Sequence, residues 1–254
     1  LKKILAILED FDTITLQEMD SVALMNRRDS KFIFNRKLLP EILHKLQHYY
    51  RLLDIDGKKI SRYENIYFDT EEMLFYTKHH NGRRNRLKIR MRKYLDSNIT
   101  FFEIKHKNNK SRTIKKRAKI DDLNKFIEKT GRKLIEQYTP HNPDEVKPVL
   151  SVTFSRLTFV AKDMSERATL DINLSTNNFS VSKSFDNLVI AELKQDHLNH
   201  KSPFYQLMRK NRIPEYRFSK YCMGMIHAYP DLKANRFKSK VMRLNKILYG
   251  KSIA

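Results

Sequence analysis

The sequence predicts an α+β fold, an antiparallel sheet with helices packed against it, and three observations carry that expectation. Eight stretches alternate apolar and polar residues at the strand period of two. Several of them follow one another through short connections, which favours antiparallel pairing, and helical apolar spacing is confined to the segments before, between and after the strand runs. No Pro/Gly/Ser-rich linker divides the 254 residues, so they read as one domain with terminal additions. These are a helical brace at 1–26, a central domain at 27–230 and a basic helix at 231–254.

Leu1 to Asp10 and Leu16 to Met25 carry helical spacing, with Asp12 or Thr13 as the cap before the second segment. Lys31 to Phe34 reads as a strand. Leu38 to Tyr50 reads as a helix with Leu39, Ile42, Leu43 and Leu46 on one face, and Arg62 to Asp69 returns to strand. A charged turn at His79 to Arg84 leads into the strands Asn85 to Tyr94, Ile99 to Lys107 and Arg112 to Ile120. Asp121 can cap a helix at Leu123 to Lys129, and a second helix at Arg132 to Tyr138 precedes a break at Pro140, Pro143 and Pro148. Beyond the break lie strands at Val149 to Lys162, Glu166 to Ser175 and Asn187 to Gln195. Helices at Pro203 to Asn211, Ser219 to Ala228 and Ala234 to Tyr249 complete the chain.

Composition narrows the functional classes. Lys and Arg number 51 against 29 Asp and Glu, a net charge of +22, and this balance calls for an anionic partner. With 40% hydrophobic residues, 12 Tyr and 15 Phe, the chain can still bury a sizeable core. The single cysteine, Cys222, excludes an intrachain disulfide framework, a cysteine zinc finger and an iron–sulfur site, and fits a reducing intracellular setting. The longest apolar runs, such as Ile4 to Leu8, fall far short of the ~20 residues that span a bilayer. Five glycines leave no room for a Gly-rich phosphate cradle. Gly250-Lys251-Ser252 imitates the end of such a loop, but Asn245 stands at its first glycine position and no helix follows. Any bound phosphate must therefore be held mainly by side-chain cations.

Those cations lie on strands. Lys88, Arg90 and Arg92 alternate with Leu87, Ile89 and Met91, and Glu103, Lys105 and Lys107 alternate with Phe102 and Ile104. Likewise Arg167, Thr169, Asp171 and Asn173 oppose Ala168, Leu170, Ile172 and Leu174, while Glu192 and Lys194 oppose Ala191 and Leu193. One reading is a half-solvated sheet with an ordinary polar face. The other starts from the crowding of like charges on two neighbouring strands, which destabilises pairing unless an anion is present. If the sheet closes with its polar face inward, the cations line a water-filled tunnel suited to a linear polyanion, and the few carboxylates are placed to hold a divalent metal.

Several separated motifs then resemble the VTC domain, the polyphosphate polymerase domain of the vacuolar transporter chaperone complex, within the triphosphate tunnel metalloenzyme superfamily. They are Arg27-Arg28-Asp29-Ser30-Lys31-Phe32, Tyr67-Phe68-Asp69-Thr70, His79-His80-Asn81-Gly82 running on to Lys88-Ile89-Arg90-Met91-Arg92, and Phe102-Glu103-Ile104-Lys105-His106-Lys107. Arg112-Thr113-Ile114-Lys115-Lys116-Arg117, Ile190-Ala191-Glu192-Leu193-Lys194 and Phe218-Ser219-Lys220-Tyr221 complete the set. The resemblance implies an eight-stranded antiparallel β-barrel tunnel with helices around it. It also implies transfer of the ATP γ-phosphate to a growing inorganic polyphosphate chain, helped by Mn²⁺ or Mg²⁺. Carried over residue by residue, Lys31, Arg90, Arg92, Lys105, Arg156 and Lys220 match the catalytic cations that grip phosphates, and Glu192 matches the metal-coordinating glutamate. Lys88, Lys107, Arg117 and Lys194 are added as substrate-binding residues.

The superfamily's opening Glu-x-Glu-x-Lys signature is replaced by Arg27-Arg28-Asp29-Ser30-Lys31, as in VTC-type members, which argues against a two-metal triphosphatase mechanism. Set beside the eukaryotic complexes, the 254 residues lead to the expectation of neither an N-terminal phosphate-sensing domain nor membrane helices. The resemblance therefore implies a free-standing, prokaryotic, soluble and cytoplasmic form.

Alternatives of other classes remain at this stage. One is a triphosphatase or nucleotidyl cyclase of the same fold. Another is a non-catalytic polyanion- or nucleic-acid-binding protein, although no helix-turn-helix, zinc finger or RNP-type aromatic pair is recognisable, so no specific nucleic-acid partner is expected. His79 and His80, without carboxylate or Cys partners at ligand spacing, read as surface or supporting residues instead of zinc ligands. Asp69 and Thr70 read as a helix cap as readily as a catalytic pair. Cys222 reads as a small buried residue. The basic helix within Lys233 to Lys251 reads either as solvated and packed on the barrel or as a contact for anionic membrane lipid, a membrane partner or emerging polyphosphate.

Overall fold

The fold is described from a computed structural model, which covers residues 2–20, 28–109, 113–120 and 129–250. Expected features at 21–27, 110–112, 121–128 and 251–254 lie outside the described residues, among them Arg27, Arg112 and the helix capped by Asp121.

Among the described residues, eight long strands form one antiparallel sheet. In chain order they are β2 (Arg28–Asn35), β4 (Ser61–Asp69), β5 (Arg86–Tyr94), β6 (Ile99–Lys107), β7 (Thr113–Ile120), β8 (Lys147–Ala161), β9 (Glu166–Asn177) and β11 (Leu188–Gln195). In space the order is β2-β11-β9-β8-β4-β5-β6-β7. Three short strands, which the alternation did not signal, attach to this path. β1 (Thr13–Ile14) pairs in parallel with β3 (Tyr50–Leu53), β3 pairs with β8, and β10 (Ser182–Phe185) pairs with β9.

The helices are α1 (Lys2–Glu9), α2 (Leu16–Asp20), α3 (Leu39–Leu46), α4 (Leu74–His80), α5 (Thr130–Tyr138), α6 (Pro203–Lys210), α7 (Lys220–Ala228) and α8 (Lys238–Tyr249). The cap of α2 is Thr15, in place of Asp12 or Thr13. Its hydroxyl accepts from the Glu18 backbone N–H at 3.3 Å while the Glu18 carboxylate accepts from the Thr15 N–H at 2.8 Å, a reciprocal capping box. Asp12 instead pairs with Lys162.

One face of the sheet packs on α1, α3 and α6, where Ile7, Leu8, Leu39, Ile42, Leu43, Phe204 and Met208 meet Leu157, Phe159, Leu170 and Leu193 of the strands. A second apolar cluster gathers around α7, whose Tyr221, Cys222 and Met225 pack with Leu150, Val152, Leu174, Ile190 and Ile33. Gly224 makes that approach close. A Cβ there would stand 2.6 Å from the Leu150 Cδ2, so only glycine lets α7 sit this tightly on β8.

The barrel expected from the resemblance is corrected to an open, curled sheet. Among the described residues no ladder joins β2 to β7, the two ends of the strand order. The physical reason lies at the edge of β2, where the Tyr216 backbone N–H donates to the Lys31 carbonyl at 2.6 Å. The segment entering α7 thus takes the place a closing strand would occupy. At the other edge, β7 is largely exposed and carries Lys115, Lys116, Arg117 and Lys119, charges that discourage pairing with another chain. No helix among the described residues is long and apolar enough to cross a membrane.

Candidate active site

The curled sheet encloses a cavity of about 520 Å³, lined from β2, β4, β5, β6, β7, β8, β11 and the N-terminal turn of α7. The strand period supplies its cations. Side chains two apart share a face, so Lys88, Arg90 and Arg92 line it together from β5, with Lys105 beside them on β6.

The α7 turn is held in place by a buried carboxylate at the end of β4. Asp69 accepts from the backbone N–H groups of Thr70, Phe75 and Tyr76 at 2.7–2.8 Å, which caps α4, and it also accepts from the Tyr221 hydroxyl. The cap reading of Asp69 therefore stands, and the same residue anchors α7. Ser219 caps α7 by accepting from the Cys222 N–H at 3.3 Å and also accepts from the Lys88 ammonium at 2.9 Å. A helix N-terminus carrying Lys220 thus borders the cavity, where its positive end favours an anion.

Of the residues the sequence singled out, Lys31, Lys88, Arg90, Arg92, Lys105, Arg156, Glu192, Lys194 and Lys220 line this one cavity. Lys107 and Arg117 do not. Lys107 pairs with Arg86 beyond Lys105, and Arg117 is exposed over the Phe101 ring.

The arginines are firmly held. Arg156 donates twice to Asp171, at 2.6 and 2.9 Å, and Lys220 donates to the same carboxylate. Arg90 donates to Glu103 at 2.6 Å, and Arg92 donates to the Asn65 side chain at 3.0 Å. On β2 and β11 the charges form a checkerboard. Glu192 stands opposite Lys31, with their charged atoms 3.3 Å apart, Lys194 stands opposite Asp29, and Glu192 also pairs with Lys194.

These pairings set the proton affinities. Burial alone would raise Asp171, but Arg156 and Lys220 outweigh it and hold the carboxyl well below the usual range. Burial likewise works against Arg90, and Tyr67 and Glu103 reverse it, keeping the guanidinium firmly charged. The lysines fare differently. Burial pulls Lys220 down to about 8 despite Asp171. It also pulls Lys88 down to about 8, with Lys31 and Arg90 adding to the effect, and Lys105 to about 7, with Arg90 beside it.

Among the described residues no cluster of three His, Cys, Asp or Glu side chains could hold a metal unaided. Two carboxylates reach the cavity, Glu192 and Asp29. A small divalent cation that arrives with substrate phosphates needs only one or two carboxylates from the protein, so this donor set fits such an ion and no dedicated metal cage. The histidines take no part. His80 is buried rather than at the surface, and its Nε2 accepts from the Arg236 N–H at 3.2 Å. His79 is pushed down to about 2 by burial and by Lys88 and Arg86. Cys222 is buried, as its apolar setting implied.

Sequence reasoning missed Asp171 and Asn65 as partners of the arginines, Ser219 as the partner of Lys88, and Asp29, Tyr67 and Lys115 as lining residues. Alternation placed Asp171 on a polar face, but only the register of β8 with β9, which sets Arg156 opposite Asp171, shows what it holds.

The model of the VTC domain family matches residues 26–229 of the chain. No curated protein sequence matches it. Among solved structures, a candidate adenylate cyclase of Bacillus halodurans superposes with a TM-score of 0.51 at 13% identity, covering 84% of this chain and 99% of that one. A candidate adenylyl cyclase from Hippeastrum, described as having a dominant triphosphatase activity, gives 0.54 at 14% identity, covering 80% and 97%. At these identities the likeness concerns the fold.

Proposed function

The chain belongs to the VTC domain family, and from that membership and the cavity's charge we propose that it transfers the γ-phosphate of ATP to a growing inorganic polyphosphate chain. The observation that carries the reading is the imbalance of the lining. Nine Lys and Arg side chains named above or beside them (Lys31, Lys88, Arg90, Arg92, Lys105, Lys115, Arg156, Lys194 and Lys220) face two carboxylates. Such a surface suits a densely charged linear anion.

Phosphoryl transfer asks chiefly for positioning and charge neutralisation. Arg90, Arg92 and Arg156, each fixed by Glu103, Asn65 or Asp171, present planar donor sets that do not reorganise when phosphate arrives. Lys31, Lys88, Lys105 and Lys220 supply compact charge along the track, and Lys194 adds to it; Lys107 and Arg117 extend it outward. Glu192, with Asp29 beside it, would hold a divalent ion, Mn²⁺ or Mg²⁺, which supplies neutralisation of the transferring phosphates. The attacking group is itself a terminal phosphate of the growing chain, so it needs no strong base. On α8, Lys240 and Arg243 lie over the Phe237 and Tyr216 rings, and the exposed Lys238 and Lys246 are the cations placed to meet an anionic lipid or emerging polymer.

Hydrolysis is the second reading, favoured by one observation. It is the activity described for the Hippeastrum protein, whose fold the chain shares. Incubation with ATP and Mn²⁺ followed by separation of products decides. Long polyphosphate with ADP supports transfer, orthophosphate supports hydrolysis, and no turnover with triphosphate still bound leaves a polyanion-binding protein.

A further inference from the structure

Beyond the cavity, the two ends of the β5–β6 pair differ in their rings. Along β5 one face runs Arg86, Lys88, Arg90, Arg92, Tyr94, and on β6 Lys107, Lys105, Glu103 and Phe101 stand opposite the first four. At about 3.4 Å per residue, Tyr94 lies ~7 Å beyond Arg92 and ~20 Å from Lys88. The Arg86 end is cationic, and the ring that Lys88 lies over at 5.8 Å, Tyr221, is buried and committed to Asp69.

The Tyr94 end is an aromatic wall. Phe154 stacks on Tyr63 at 5.2 Å, Tyr63 tilts against Tyr94 at 5.0 Å, and Tyr94 meets Phe101 edge-on at 6.0 Å. Arg156 and Arg92 lie over Tyr63 at 5.3 and 5.6 Å. The inner rings, Phe154 and Tyr63, are buried and belong to the core. The outer two are half-buried, and Phe101 is in no core cluster of the described residues. Its ring meets the edge of Tyr94 and, 5.0 Å away, the exposed guanidinium of Arg117. A phenylalanine outside the core clusters of the described residues, on the same face of β6 as Lys105 and opposite Arg92, is placed to stack a flat ring whose phosphates run inward.

We propose that Tyr94 and Phe101, with Arg117, form a shelf for the purine base of a nucleoside triphosphate. The nucleotide then enters by this end, its triphosphate running along Arg92 and Arg90 toward Lys88 and Lys105. The inference rests on the proposed use of ATP, and its test reads binding, not turnover.

Calorimetric titration with ATP and with inorganic triphosphate, without divalent metal, separates base from phosphate recognition. In the unchanged protein ATP should bind tighter than triphosphate. Phe101→Leu and Tyr94→Leu should each weaken ATP by about tenfold, within the range base stacking supplies, and leave triphosphate unchanged, while Phe101→Tyr keeps ATP affinity. Equal losses for both ligands, or no loss for either, overturn the shelf. As a measurement needing no variant, 2-aminopurine riboside triphosphate should lose fluorescence on binding, and binding without quenching overturns it too. If the unchanged protein binds neither ATP nor triphosphate, the proposed function falls and the shelf with it; if triphosphate binds and ATP binds no tighter, only the shelf falls.

Discussion

On the wall built by β2, β11, β9 and β8, charges are interleaved. Glu192 lies between Lys31 and Lys194, and Asp171 holds Arg156 and Lys220 together. On the wall built by β5, β6 and β7, Arg90 has Glu103, but Lys88, Lys105 and Lys115 face the same cavity with no carboxylate paired to them among the described residues. The arginines of both walls are fixed before any ligand arrives, but among the described residues only on the first wall are the lysines ion-paired as well. The second holds unrelieved repulsion, so it is where an incoming polyanion gains most.

The strongest way to break the contrast is Asp171→Asn, which keeps the shape but leaves two buried cations facing each other. Removing one partner of a buried ion pair costs about 3–5 kcal/mol, so urea denaturation should show a loss of that size, with triphosphate restoring part of it. A variant as stable as the parent would mean that the interleaved wall is not held by this carboxylate.

Glu192→Gln probes the same wall as chemistry. If Glu192 holds the divalent ion, polyphosphate synthesis should fall by roughly a hundredfold while polyphosphate binding survives. If it only relieves Lys31 and Lys194, turnover and its dependence on Mn²⁺ concentration will match the parent, and the ligand assignment fails.

The opposite wall is tested by ligand-induced stabilisation. At about 100 times the dissociation constant, triphosphate should stabilise the folded chain by about 2.7 kcal/mol, seen as a rise in Tm. Arg90→Ala with Arg92→Ala should erase most of that rise, and an undiminished rise would place the anion elsewhere.

The smallest expected effect is the pH dependence of the lysines. Their folded pKa values, about 7 for Lys105 and about 8 for Lys88 and Lys220, lie below the ordinary 10.5. The folded state therefore binds these protons less tightly than the unfolded one, and the empty protein gains stability as pH rises from about 7 toward 10.5. Anion binding works the other way, since a bound phosphate draws the protons back. Triphosphate affinity should fall by about five- to twentyfold between pH 7 and 8, with proton uptake visible as a buffer-dependent heat. A flat affinity over that interval would mean that the lysines stay charged in the empty cavity.

Much of the sheet was legible because alternation is a local signal. All eight long strands follow from it, and so do the cations of β5 and β6. Helix α4 was not legible. It starts after Met73 in a left-handed conformation, and its cap comes from Asp69, so Leu74, Phe75 and Tyr76 show no start signal of their own. Strand β3, four residues long, hid behind the helical reading of Leu38 to Tyr50, although the helix ends at Leu46. Closure of the sheet was beyond a periodicity argument, which says which face a residue takes and nothing about what meets a free edge. The partners Asp171 and Asn65 were hidden for a related reason, since they are set by the residue-by-residue register between paired strands.

A ladder closed all the way round has its bore fixed by the number of strands and their stagger. Here the Tyr216–Lys31 backbone bond and the Lys88–Ser219 side-chain bond tie the α7 approach to β2 on one side and β5 on the other. The first contributes about 0.5–1.5 kcal/mol net and the second, from an ammonium, about 1.5–3 kcal/mol. The width of the passage is thus set by how α7 docks, through Tyr221 and Asp69, and not by the number and stagger of strands alone.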